Sequence, residues 1–138
     1  MDLHDAPPAH PAVHGLAAVA VDCADPSLLA EFYARLFGLP WASDEDGDAS
    51  VYGDVGPTID FLQVPEGKAV KNRLHLDIRA TDLDAAVEHA LTLGATRAPD
   101  VYDGDSWVVL RDPEGNEFCL LRPYDGGELQ WTPDSTRS

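Results

Sequence analysis

The same order of features occurs twice in this chain, and the repeat limits the folds it can adopt. A β-prone run, a helix cap, an apolar helical stretch and a glycine span residues 19–38 and again residues 74–94. The aspartates that end the two runs, Asp22 and Asp77, are 55 positions apart, and the closing glycines are 56 apart. A nearly constant offset indicates a duplicated module. Two such modules must pair to bury their open faces, so a ligand site is expected at their seam.

Each copy begins with a strand and a helix and continues with three strands. Asp25 is a helix cap before proline at the first helical position, and Gly38 ends the helix. The second helix is expected to begin after Thr81-Asp82 and to end at Gly94. The predicted strands are 16–22, 41–45, 48–54 and 58–64 in the first copy, and 72–80, 97–102, 105–112 and 116–122 in the second. The fold class is therefore α+β, with the order βαβββ repeated twice.

The length of 138 residues fits one domain. We place this domain at residues 15–124, with module one at 15–67 and module two at 70–124. Residues 1–14 contain several prolines and no regular pattern, so a flexible N-terminal arm is expected there. Residues 125–138 are expected to form a polar C-terminal tail.

The charge balance excludes several kinds of partner. With 25 acidic and nine basic residues, the formal net charge is −16. Such a surface repels nucleic acid and anionic lipid, and it attracts cationic small molecules. No apolar run approaches the ~20 residues of a membrane helix. Two cysteines do not make a disulfide framework and no secretory signal is evident, so a cytoplasmic location is expected.

Four basic residues interrupt this acidic composition. They fall within twelve positions and are Lys68, Lys71, Arg73 and Arg79. One interpretation is charge balance around a surface linker. The other is a site for a carboxylate or phosphate group, which arginine binds as a rigid fork.

Two motifs in the second copy resemble a known family. Residues 72–77 read NRLHLD and residues 112–119 read DPEGNEFC. They are similar to the glyoxalase-like domains of the vicinal oxygen chelate superfamily, which includes bleomycin-resistance proteins and extradiol dioxygenases. The resemblance covers roughly residues 15–123. It implies two βαβββ modules that form a curled mixed sheet around a shared cavity, and a homodimer. It does not specify an activity, since one fold hosts many chemistries.

The resemblance also implies where a metal would bind. Metal-using members carry four ligands, two from each module, and the matching positions here are Ala18, Phe61 or Gln63, His75 and Cys119. Ala18 has no donor atom, and Gln63 offers only an amide oxygen. A tight site needs more donors than His75 and Cys119 supply. No cofactor is therefore predicted, and His75, Cys119 and Gln63 remain weak candidates for a divalent metal.

The last hairpin groups the candidate ligand-binding residues. If residues 113–115 form a three-residue loop, Asp112 lies opposite Asn116, Arg111 opposite Glu117, Val109 opposite Cys119 and Trp107 opposite Leu121. Arg111 would then face the cavity or form a cross-strand ion pair with Glu117. Asp77 shares a strand face with His75 and is expected to orient its ring. The predicted ligand-binding residues are Gln63, Arg73, His75, Asp77, Trp107, Arg111 and Cys119, with Trp41 and Tyr52 as further aromatic walls.

Two function classes fit these residues. The first is a metal-free protein that binds a small organic molecule at the module seam. The second is a lyase, isomerase or dioxygenase of the glyoxalase type, acting through a metal or through His75 as a general base. The missing donor at Ala18 favours the first class, and whether the protein is an enzyme stays open.

Overall fold

The computed structural model describes residues 3–8, 10–12, 16–53, 56–70, 72, 74–101 and 106–123. The elements are β1 (Ala18–Cys23), α1 (Pro26–Phe37), β2 (Trp41–Ser43), β3 (Ala49–Val51), β4 (Thr58–Gln63), β5 (Leu76–Arg79), α2 (Leu83–Thr92), β6 (Thr96–Arg97), β7 (Trp107–Arg111) and β8 (Glu117–Leu121). The predicted α+β fold with two βαβββ modules is confirmed. The predicted tail at residues 125–138 lies outside the described residues.

Each module forms its own four-stranded mixed sheet. The strand orders are β1-β4-β3-β2 and β5-β8-β7-β6. In both sheets the first strand pairs in parallel with the last, and the other pairs are antiparallel. Within the described residues no strand ladder joins the two sheets, so they do not close into one curled sheet around the cavity. Neither helix in this part of the chain has the length and hydropathy of a membrane span.

Helix α1 begins and ends where its sequence predicts. The side chain of Asp25 accepts a hydrogen bond from the Leu28 amide at 3.2 Å, which caps the first turn. Gly38 ends the helix with a φ of 73°, a left-handed conformation that favours glycine. Helix α2 is capped by Asp82, whose side chain accepts from the Ala85 amide.

Two strands of module two are shorter than predicted. The strand expected over 72–80 covers only Leu76–Arg79. Asn72 is instead held by the last hairpin, because its amide N–H donates to Glu117 at 3.2 Å and its side chain to Asn116 at 3.2 Å. The strand expected over 97–102 covers Thr96–Arg97, and a turn then joins the Val101 amide to the Ala98 carbonyl.

The core is continuous across both modules, and aromatic rings of α1 connect them. The ring of Tyr33 stacks on Phe61 of its own module, with the centroids 5.6 Å apart. The ring of Phe32 meets Phe118 of module two edge-on, at 5.8 Å. Phe61 and Phe118 are fully buried. Burial of such large apolar rings is a main source of folding free energy.

The turn between β7 and β8, residues 112–116, adds polar contacts between the modules, and we call it the inter-module turn. The hydroxyl of Tyr33 donates to the buried carboxylate of Asp112 at 2.9 Å. Burial raises the pKa of Asp112, while hydrogen bonds from the Asn116 amide and the Tyr33 hydroxyl oppose this rise. The carboxylate of Glu114 accepts from the amides of Ala24 and Asp25, at 2.7 and 2.6 Å. Negative charge is favourable there, because the first amides of α1 lack helical partners.

Asp112→Ala is therefore expected to lower the free energy of unfolding by about 2–4 kcal/mol, because buried donors lose their acceptor. Tyr33→Phe removes one of these bonds and is expected to cost about 1 kcal/mol. Urea unfolding followed by circular dichroism measures both changes. The control is Glu88→Ala on the exposed side of α2, expected within about 0.5 kcal/mol of the parent. Equal stabilities of the Asp112→Ala and Glu88→Ala variants would contradict the role given to the inter-module turn.

Candidate ligand-binding site

The register of the last hairpin fixes which side chains share the face of the second sheet that lies opposite the common core. The cross-strand pairs are Arg111 with Glu117, Val109 with Cys119, and Trp107 with Leu121, which confirms the predicted register. Strand β5 adds Asp77 beside Cys119. Because side chains alternate along a strand, these residues lie on the side opposite Phe118 and Leu120, which are in the core. The predicted grouping of Trp107, Arg111 and Cys119 on one face is therefore present.

A hollow of about 350 Å³ lies on this face, and we call it the face hollow. One side is apolar and the other polar. Its lining consists of Val101, Trp107, Val109 and Leu121 on the apolar side, and of His75, Asp77, Glu117 and Cys119 on the polar side. Ligand sites of small organic molecules have volumes of roughly 300–1,000 Å³. The face hollow therefore has the size and the mixed lining of such a site.

A second hollow, of about 480 Å³, lies between the edge strands β1 and β5, and we call it the seam hollow. Module one contributes Val19 and Val21, and module two contributes Leu74 and Leu76. His75 and Glu117 line both hollows. The two hollows therefore adjoin, and a ligand in one is close to the other.

Three side chains of module two form a compact polar group, which we call the His-Asp-Cys group. The Nδ1 atom of His75 lies 2.8 Å from Oδ1 of Asp77 and 3.8 Å from Sγ of Cys119. In the neutral tautomer whose Nδ1–H donates to Asp77, Nε2 carries the lone pair. The prediction that Asp77 orients the ring of His75 agrees with this contact.

The donor atoms of the His-Asp-Cys group all lie within 4.8 Å of one another. A set of nitrogen, oxygen and sulfur suits a borderline ion such as Zn²⁺ better than a hard one such as Mg²⁺. Asp77 is thus the third donor that the sequence reasoning missed. From the sequence, Asp77 receives only the role of orienting the ring of His75, although strand alternation already places both side chains on one face.

Module one does not repeat this donor set. Asp22 lies opposite Leu62, as Asp77 lies opposite Cys119. The repeat offset makes Ala20 the counterpart of His75. Ala18 and Ala20 both lack a donor atom, so the equivalent part of module one supplies neither nitrogen nor sulfur. The residues present therefore fit a three-donor site built from one module.

The metal-ligand positions that the resemblance implied at the end of module one lie away from the His-Asp-Cys group. Phe61 is in the core against Tyr33. Gln63 is at the end of β4, where its amide nitrogen lies 3.4 Å from the Ala24 carbonyl and its Oε1 faces Gly47. Within the described residues, Gln63 lines neither the face hollow nor the seam hollow. The structure does not bring it to the His-Asp-Cys group.

The other predicted aromatic walls are also not part of these hollows. Trp41 and Tyr52 are exposed side chains of module one, and neither lines the face hollow or the seam hollow in the described part of the chain. Arg73 lies outside the described residues.

Arg111 has a different partner from the one considered in the sequence. Its guanidinium donates two hydrogen bonds to Asp100, each 2.7 Å long. Glu117, which lies opposite Arg111 in the register, pairs with Lys68 at 3.1 Å. The hydrogen bond between Arg111 and Asp100 lowers the pKa of the Asp100 carboxyl and raises the pKa of Arg111, and the negative charge of Glu117 also raises the pKa of Arg111.

Lys68, Asp100, Arg111 and Glu117 border a third hollow of about 400 Å³, which we call the polar hollow. Burial alone would raise the pKa of Glu117, but the Asn72 amide and the Lys68 ammonium hold it below its ordinary value. The sequence placed Glu117 on the correct face and offered Arg111 as one possible partner, whereas the carboxylate contacts Lys68. The sequence does not indicate Asp100 as the partner of Arg111, because its position depends on how a turn folds back over β7.

A family model described as a glyoxalase-like domain matches residues 18–121. The chain belongs to this family. Its fold is that of the vicinal oxygen chelate superfamily, as the resemblance implied. No curated protein sequence matches the chain.

Solved structures with similar folds support the assignment. A glyoxalase/bleomycin resistance protein/dioxygenase family enzyme from Burkholderia phytofirmans is 20% identical, with a TM-score of 0.65, covering 80% of this chain and 100% of that chain. A variant of the fosfomycin resistance protein FosX from Listeria monocytogenes, complexed with Mn(II) and dihydroxypropylphosphonic acid, is 14% identical, with a TM-score of 0.65, covering 81% of this chain and 92% of that chain. At these identities the likeness shows the fold alone.

The two cysteines of this glyoxalase-like domain are expected to differ in reactivity. Burial, followed by the nearby Glu114 and Asp112, raises the pKa of Cys23 to about 12. At pH 8 only about one Cys23 thiol in 10⁴ is therefore ionised, and the thiolate is the reactive form. Cys119 is also largely buried, but it borders the face hollow, which is wide enough for a small reagent.

Alkylation by iodoacetamide at pH 8, followed by mass spectrometry, tests this difference in the variants Cys23→Ala and Cys119→Ala. The remaining Cys119 is expected to react at least ~10-fold faster than the remaining Cys23. In denaturing urea the two rates should converge. A native Cys23 that reacts as fast as Cys119 would contradict the burial of Cys23.

Proposed function

We propose that this glyoxalase-like domain binds a small organic molecule in the face hollow, next to the module seam, without requiring a metal ion. The observation that carries the proposal is the two-sided lining of the face hollow. Its apolar side removes ligand surface from water, and Trp107 offers a ring for stacking. Its polar side, the His-Asp-Cys group, supplies directional hydrogen bonds that orient the ligand.

The proposal includes a cytoplasmic homodimer that has neither nucleic acid nor membrane as a partner. The formal net charge of −16 supports the exclusion of phosphate-rich partners. Two large apolar side chains on the outer face of the first sheet support the dimer. Tyr52 and Leu62 are 46 and 36% exposed, and the register places both on the side opposite Val51 and Phe61. A second copy of the chain can cover such apolar surface.

Binding can be tested with 2-naphthamide, a neutral aromatic probe, by isothermal titration calorimetry and thermal unfolding. We expect a dissociation constant below about 1 mM, and a gain in stability of about 1.4 kcal/mol at ten times that concentration. Leu121→Trp fills the face hollow and is expected to weaken binding at least ~10-fold. The control is Leu16→Trp, at an exposed position that is not part of the lining of the face hollow. Equal binding by both variants would place the probe elsewhere.

A second candidate function is metal-dependent lyase, isomerase or dioxygenase chemistry. It is favoured by the three donor atoms of the His-Asp-Cys group within 4.8 Å. It is disfavoured by the lack of nitrogen and sulfur donors at the equivalent positions of module one. In a metal-free enzyme, Nε2 of His75 would serve as the general base.

Elemental analysis of protein purified without chelators separates the two functions. We expect far less than one equivalent of zinc, nickel, iron or manganese, and no turnover of methylglyoxal with glutathione. A stoichiometric metal that is lost in His75→Ala but kept in His89→Ala, an exposed histidine of α2, would favour the enzyme instead.

A further inference from the structure

In the ion pair between Arg111 and Asp100, the acidic side chain is much more exposed to solvent than the basic one. The side chain of Arg111 is 25% exposed, while that of Asp100 is 67% exposed. In the neighbouring pair the order is reversed, because the carboxylate of Glu117 is 4% exposed and Lys68 is 18% exposed. Asp100 is therefore the carboxylate that can move into solvent without uncovering the core.

The two partners are also held differently. Arg111 belongs to β7 and is paired on both sides, with Glu117 on β8 and Thr96 on β6. Asp100 lies in the turn between Ala98 and Val101, outside any strand. The backbone of Arg111 is thus held by the sheet, whereas that of Asp100 is held only by a turn. A fixed guanidinium fork matches a carboxylate with two parallel hydrogen bonds.

The other carboxylates of the polar hollow have separate partners. Glu114 accepts from two backbone amides at the start of α1. Glu117 accepts from Lys68 and from the Asn72 amide. In the described part of the chain, the Asp100 carboxylate accepts two side-chain hydrogen bonds from Arg111 and a further one from its own backbone amide. The Arg111 fork is therefore its side-chain partner in the polar hollow.

We propose that Arg111 binds a carboxylate of the ligand, and that Asp100 occupies the same fork when no ligand is bound. The proposal rests on ligand binding in the face hollow. The face hollow and the polar hollow share Val101 and Glu117, so a ligand that extends along β7 from Trp107 past Val109 reaches Arg111. The ligand class is thus an aromatic carboxylic acid.

The replacement of Asp100 by a ligand carboxylate in the fork has a small free-energy cost. The side chain of Asp100 is mostly exposed, so its carboxylate is well hydrated after it leaves the fork. The ligand carboxylate then forms the two hydrogen bonds that Asp100 gives up. Asp100 is therefore an internal competitor, and removal of its charge should strengthen the binding of an acid but not of a neutral analogue.

Isothermal titration calorimetry with 2-naphthoate and 2-naphthamide tests the exchange, since the two probes share a ring and differ in charge. For the parent protein we expect the acid to bind at least ~5-fold more tightly than the amide. Asp100→Asn is expected to strengthen binding of the acid a further ~5-fold and to leave the amide unchanged. Misfolding cannot produce such a selective gain. Arg111→Met is expected to abolish the preference and to retain the amide.

Arg35→Met is the matched control, because Arg35 forms a similar exposed ion pair with Glu31 on α1. It should leave both affinities unchanged. Equal binding of acid and amide by the parent, or a preference that survives Arg111→Met, overturns the proposal while binding in the face hollow stands. If the parent protein binds neither probe, the proposed function is overturned as well. Displacement of 2-naphthoate by inorganic phosphate at equal concentration would overturn the proposed role of Arg111, because the fork would then select a small anion.

Discussion

The contact of the inter-module turn with helix α1 is the constraint on which the rest of the structure depends. No strand ladder joins the two sheets within the described residues, so side chains alone set their relative position. The rings of Phe32 and Phe118 supply apolar contact, which is favourable in many orientations. The hydrogen bonds of Asp112 and Glu114 are directional, and they select one of these orientations. The seam hollow exists because this docking leaves β1 and β5 beside each other and unpaired.

Strand alternation explains why so much of this could be predicted from the sequence. Helix α1 has local start and stop signals, Asp25 and Gly38, and both act as expected. The hairpin loop has a fixed length, so its register and the shared face of Trp107 and Cys119 follow from counting residues. The ion pairs could not be predicted in this way. Lys68 and Asp100 come from connecting segments, and their positions relative to β7 and β8 depend on the packing of the whole module.

The duplication also explains why the polar groups of the site come from module two alone. Both modules retain an aspartate at the same position, Asp22 and Asp77, but the neighbours differ. Module two places a histidine and a cysteine beside its aspartate, whereas the register of module one provides an alanine and a leucine. The repeat therefore preserves the backbone that shapes a cavity and concentrates the polar groups on one wall. Such a lining orients a ligand by one end and leaves the other end in apolar contact.

The acidic composition and the recognition of a carboxylate are compatible, because they act over different distances. The net charge of −16 produces a field that repels anions during approach. At ~0.1 M salt this field is screened over about 10 Å. The two hydrogen bonds from Arg111 act at contact, where screening is weak and geometry decides. Because Asp100 leaves the fork when a ligand carboxylate enters, Arg111 still donates its two hydrogen bonds to a single carboxylate. Long-range repulsion therefore slows the encounter, and the local fork sets the selectivity.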